Sequence, residues 1–141
     1  MSDVNVPDPD VMARLRAALA SGPSLRLAVL FGSQAVGQGR RGSDFDVGIV
    51  PADPDLPLRD ELALAAALSG AMGVEVDVVR LDRDDPLLGR EVANKGACLF
   101  EAEPGAFSAY RATAASRWVD FDETIAPHRA RFLKRLAGGR A

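Results

Sequence analysis

The chain has 141 residues, 48% of them apolar and 26% charged, with a net charge of −3. That is ordinary composition for about one globular domain of roughly 100–200 residues. It excludes a disordered tail, a collagenous repeat and a disulfide-framed miniprotein, because the single cysteine, Cys98, cannot close an internal bridge. No apolar run is long enough for a bilayer. The acidic start, Met1 to Asp8, lacks the apolar stretch of a signal peptide, so the expected location is the cytoplasm.

Asp8-Pro9-Asp10 opens a first helix, with Asp8 as cap and Pro9 at the first helical position. Val11, Leu15, Ala18 and Leu19 share one face, and Ser21-Gly22-Pro23 ends it. Leu25 to Phe31 is an apolar run of strand length, broken by Gly32 and Ser33. A Gly-rich polar stretch from Gln34 to Ser43 leads into a second strand, Asp44 to Val50. Pro51 to Pro57 carries three prolines and reads as a surface loop.

Leu58 to Ser69 is helical by composition and closes near Gly70 and Gly73. Val74 to Val79 alternates strictly and reads as a third strand. Pro86 to Asn94 is a short helix with Asp84 or Asp85 as cap, and Ala97 to Phe100 a fourth strand. Phe107, Tyr110, Ala114, Trp118, Phe121 and Ile125 recur at helical spacing, so a long helix follows. Pro127 is expected to kink or restart it before Phe132, Leu133 and Leu136. The order α-β-β-α-β-α-β-α indicates one mixed α/β (α+β) domain over residues 1–141. Its core would span about 8–103, and a helical extension about 104–137.

Charge is uneven along this chain. Residues 1–110 carry a net −7 and residues 111–141 a net +4. The basic end reads either as a solvated helix with cations near its C-terminus or as a docking surface for an acidic partner. Trp118, Tyr110 and Phe121 are correspondingly core residues by spacing, or interface anchors if exposed. Cys98 reads as a small buried hydrophobe and His128 as a surface residue.

Three aspartates stand on strands that otherwise read as core. Asp44 and Asp46 share one face of their strand, with Cα atoms roughly 6.6 Å apart at about 3.3 Å per residue. Two such carboxylates repel unless a cation lies between them, and hard divalent ions such as Mg²⁺ take carboxylate oxygens together with substrate phosphates. Asp77 lies in the next strand, opposite in face to Val76 and Val78, and joins the pair if the strands are neighbours. Taken alone, Asp-x-Asp is more often the mark of a polar strand edge or turn. Gly32-Ser33, directly after a buried strand, adds backbone N–H groups and a hydroxyl that can cradle phosphate.

The run Gly32-Ser-Gln-Ala-Val-Gly-Gln-Gly-Arg-Arg-Gly-Ser-Asp-Phe-Asp-Val-Gly-Ile-Val50, with Asp77 beyond it, resembles the signature of the nucleotidyltransferases with the DNA-polymerase-beta-like fold. The short length is similar to that of the minimal nucleotidyltransferases of the MntA type. The resemblance implies two Mg²⁺ ions on Asp44 and Asp46, with Asp77 sharing one of them and helping to deprotonate an acceptor hydroxyl. It implies that Gly32 and Ser33 hold the phosphates of ATP, with Ser43 in the same nucleotide-binding set. Relatives often carry arginine where this chain has Val36; Arg40 or Arg41 would substitute. The implied activity is transfer of AMP from ATP to a tyrosine of a helical RNase toxin of the HEPN (HepT) type, which would make this chain an antitoxin. Two alternatives stand beside it: a small-molecule, aminoglycoside-type nucleotidyltransferase, and a non-catalytic antitoxin that blocks its toxin sterically. Neither a membrane nor a nucleic acid is an expected partner.

Overall fold

A computed structural model describes residues 7–32 and 45–138. Eight elements follow in chain order: α1 (Pro9–Leu19), β1 (Leu25–Phe31), β2 (Phe45–Pro51), α2 (Leu58–Met72), β3 (Val76–Arg80), α3 (Pro86–Lys95), β4 (Ala97–Glu101) and α4 (Ala106–Gly138). The strands form one sheet in the order β3-β2-β1-β4. β1 runs antiparallel to both β2 and β4, whereas β2 and β3 are parallel.

Alternation along the strands divides the core in two. Ala28, Leu30, Phe45, Val47, Ile49 and Val76 meet Met12, Leu15 and Leu19 of α1 and Leu64, Leu68 and Met72 of α2. On the other face, Leu27, Val29 and Phe31 meet Val92 and Leu88 of α3 and Phe107 and Tyr110 of α4. Burying each such aliphatic side chain is worth about 1.5–3 kcal/mol, so the two apolar faces of β1 hold both layers together.

Local signals set the boundaries. The Asp8 carboxylate accepts the Asp10 N–H, and Asp85 accepts the Leu88 N–H at the start of α3. Gly73 closes α2 in the left-handed region at φ 74°, its N–H bonded to the Ser69 carbonyl. Of the kink or restart expected at Pro127, the restart does not occur: α4 runs through it as a single helix. Proline removes the N–H that would reach the Glu123 carbonyl, and both residues are exposed, so water can satisfy that carbonyl.

Two contacts that no local pattern announces fix β3. The Ser69 hydroxyl of α2 accepts the Val76 N–H at 2.8 Å, at the first residue of this edge strand. At the other end, Arg80 is buried and donates to Glu61 at 2.8 Å, to both oxygens of Asp82 at 2.9 and 2.7 Å, and to the Pro54 carbonyl at 2.9 Å. A planar fork with five donors suits this three-way junction of strand, helix and loop. Its partners hold the Arg80 guanidinium charged, and it in turn pulls the Asp82 carboxyl below the usual range.

Candidate active site

β2 and β3 are neighbours, and their parallel register sets Asp46 directly beside Asp77. Adjacent strands lie about 4.8 Å apart, so the two carboxylates leave the same face of the sheet abreast. Phe45 and Val47, the residues flanking Asp46, turn into the core on the opposite face. Asp46 is half-buried and Asp77 exposed. Phe31 pairs with Asp46 across the antiparallel side, which brings the end of β1 to the same point.

Gly32 completes the arrangement. Its φ of 84° belongs to the left-handed region that L side chains rarely adopt, and a Cβ there would stand 2.6 Å from the Asp46 Oδ2. Bare backbone thus lies against the carboxylate, as a glycine must where a charged ligand and main chain approach closely. One step further along β2, Gly48 has no side chain and Leu81 packs over it, with Leu81 Cδ2 2.6 Å from where a Cβ would be. This apolar lid marks the limit of the polar patch on the sheet.

Of the residues singled out in the sequence, the fold therefore unites Gly32, Asp46 and Asp77. Ser33, Arg40, Arg41, Ser43 and Asp44 lie outside the described residues. Among the described residues no group of three or more His, Cys, Asp or Glu side chains gathers to hold a metal. The donors that are present, two carboxylates beside an unobstructed glycine, are of the hard-oxygen type that Mg²⁺ prefers.

Ser69 and Arg80 were not singled out by sequence reasoning. Both act on β3, the strand that carries Asp77, one before it and one three residues after. A serine near the end of a helix and an arginine at the end of a strand carry no local signature of such a role.

A cavity of about 630 Å³ lies at the other end of the strands, lined by Arg26, Val50, Leu81, Tyr110 and Arg117 among others, and does not include Asp46 or Asp77. Burial pushes the Tyr110 hydroxyl above its ordinary value there. Cys98 packs against the second core, and burial raises its thiol, which keeps it protonated and unreactive. Trp118 and Phe121 are half-buried, their rings tilted at 46° with centroids 5.5 Å apart, and the Arg90 guanidinium lies 4.4 Å above the indole. No helix among the described residues is long and apolar enough to cross a membrane.

Comparison with known proteins identifies the family. Residues 14–104 match the family model described as polymerase beta, nucleotidyltransferase. The protein adenylyltransferase MntA of Shewanella oneidensis is 30% identical over 114 residues, covering 74% of this chain and 79% of that protein. A chain from a toxin–antitoxin crystal structure with AMP-PNP superposes with a TM-score of 0.77 at 24% identity, over 86% of this chain and 98% of that one. A chain from the complex of tri-AMPylated Shewanella oneidensis HEPN toxin with MNT antitoxin gives 0.72 at 22%, over 87% and 96%.

Proposed function

This chain belongs to the polymerase-beta nucleotidyltransferase family, in its minimal MntA-type branch, and from that premise we propose that it transfers AMP from ATP to a hydroxyl of a protein. The acceptor is a tyrosine of a HEPN-type toxin, and the modification neutralises it. The observation that carries the reading is the register pair Asp46–Asp77 beside Gly32. The similar proteins support the same chemistry: one is a protein adenylyltransferase, and another was solved in complex with an AMPylated toxin.

The reaction is an in-line displacement. The acceptor oxygen bonds to the α-phosphorus of ATP, the bond from that phosphorus to the β-bridging oxygen breaks, and pyrophosphate leaves. Asp77, the more exposed carboxylate, takes the hydroxyl proton as that bond forms. Asp46 and Asp77, with Asp44, would hold Mg²⁺, which when bound neutralises charge on the phosphates and on the attacking and leaving oxygens. The Gly32 backbone, with Ser33, orients the β and γ phosphates, and Ser43 with Arg40 or Arg41 lies in the same nucleotide-binding set. Catalysis of phosphoryl-group chemistry rests mostly on such positioning and charge neutralisation.

Intact-mass spectrometry of a HEPN-type toxin, after incubation with this chain, ATP and Mg²⁺, tests the reading. Addition of AMP in whole units is expected with wild type and not with Asp46→Asn. A toxin whose mass never changes would contradict it.

A further inference from the structure

The second half of α4 presents a surface that the catalytic face does not use. Every residue from Arg131 to Leu136 is exposed, and Val119, Phe132, Leu133 and Leu136 each keep more than half of their surface in water. At about 100° per residue, Trp118, Phe121, Ile125, Phe132 and Leu136 fall within an arc of about 60°. Trp118, Ile125 and Phe132 repeat every seven residues, the period at which one helix seats against another. The body holds α4 by its first half. Tyr110 and Ala114 pass over Gly89, Arg90 covers Trp118, and Asp120, Phe121 and Thr124 lie beside Asp84 and Pro86. The stripe then continues for about four more turns.

Charge selects what can cover it. After Glu123 the chain has no acidic residue, while Arg129, Arg131, Lys134, Arg135 and Arg140 follow. Arg129 is paired with Asp122; among the described residues Arg131, Lys134 and Arg135 have no ion pair. Arg135 lies about 40° and Arg131 about 80° beyond the same edge of the stripe. A second copy of this chain, laid distal half against distal half, would set cations against cations, which disfavours self-pairing. An apolar stripe whose distal half, after Glu123, is bordered by cations alone fits a helix whose own apolar stripe is bordered by acids.

We infer that the stripe from Ile125 to Leu136 docks an acid-bordered amphipathic helix of the acceptor protein, holding that protein while its hydroxyl reaches the carboxylates. This rests on the reading above that the acceptor is a protein. α4 leaves the body beside Asp84, beyond the far end of β3, so docking and chemistry occupy separate parts of the chain. Changes in the stripe therefore act on acceptor binding and leave ATP alone.

The test uses the full chain carrying Phe132→Glu with Leu136→Glu, both exposed positions whose replacement by a good helix former keeps the fold. The probe is a HEPN-type toxin that binds the wild-type chain. Affinity for the toxin should fall about tenfold or more; AMP transfer should fall at low toxin concentration and recover at saturation; ATP affinity by calorimetry should not move. Arg131→Glu with Arg135→Glu should slow association at low salt, the difference fading as salt rises. A stripe variant that binds and modifies the toxin as wild type does overturns the inference and leaves the functional reading standing. A wild type that binds the toxin through this stripe but transfers no AMP overturns the reading and supports the stripe. A wild type that does neither overturns both.

Discussion

Gly32 and Asp46 are in contact across the β1–β2 pair: a methyl group on the first would lie 2.6 Å from the carboxylate oxygen of the second. The glycine also holds a φ of 84°. Steric room and backbone conformation thus demand the same residue at the point where β1 meets the carboxylates.

Gly32→Ala should therefore lower stability by about 1–2 kcal/mol, the cost of a left-handed conformation for an L residue, and displace Asp46 as well. Gly70→Ala is the control, since it lies within helix α2 with nothing within 4 Å of its added methyl. That change should stabilise the protein by about 0.5–1 kcal/mol and leave transfer untouched. Thermal melts and AMP transfer measured on both variants check the pair; equal behaviour would show that the contact at Gly32 does not matter.

Asp77→Asn retains shape and loses charge. Removing a proton acceptor from the reaction should reduce turnover by about 10²–10⁴-fold. Nucleotide binding should survive far better, because Asp46 and the phosphate-binding backbone remain. Titration calorimetry beside single-turnover rates separates the two, and nucleotide binding lost as completely as turnover would contradict the division of roles.

Ser69→Ala removes the partner of the Val76 N–H, next to Asp77. Loss of the bond should cost about 0.5–1.5 kcal/mol. Because β3 is an edge strand, its first residues have only β2 to hold them on the other side, so Asp77 should lose its fixed position. The expected signature is a several-fold drop in kcat with KM for ATP unchanged. A parallel rise in KM would point to a general loosening of the site.

The order of all eight elements was legible because each carries its own periodicity and punctuation, from Asp8-Pro9 at α1 to Gly96 after α3. What brings the site together was less so. Val-Asp-Val in β3 shows that Asp77 leaves one face, but only the parallel β2–β3 register shows that it stands beside Asp46. That register depends on long-range packing of α2 between the strands. Arg80 illustrates the same limit: its partners Glu61 and Pro54 are 19 and 26 residues away in sequence. At Pro127 the expected restart does not occur, since a local rule about proline yields where the affected carbonyl faces water.

Acid should weaken the protein partly through Asp82. The hydrogen bond from Arg80 is the main cause that lowers its carboxyl, with partial burial opposing and Arg83 adding slightly. A depressed folded value means that this contribution is present above the unfolded aspartate value of about 3.9 and is lost as pH falls through the lower, folded value. Asp82→Asn should therefore unfold more readily at neutral pH and show a shallower loss of stability below about pH 4 than wild type. Urea midpoints across that range check it; identical acid slopes in the two proteins would remove Asp82 from the explanation.

Label tracing separates nucleotidyl transfer from every rival use of ATP. The chain, Mg²⁺ and a HEPN-type toxin that it binds are incubated with ATP labelled at the α phosphate or, in parallel, at the γ phosphate. The expected result is α label on the toxin, γ label in released pyrophosphate, and neither on the toxin when Asp46→Asn replaces wild type. γ label on the toxin, or α label that persists with Asp46→Asn, would contradict AMP transfer by the Asp46–Asp77 pair.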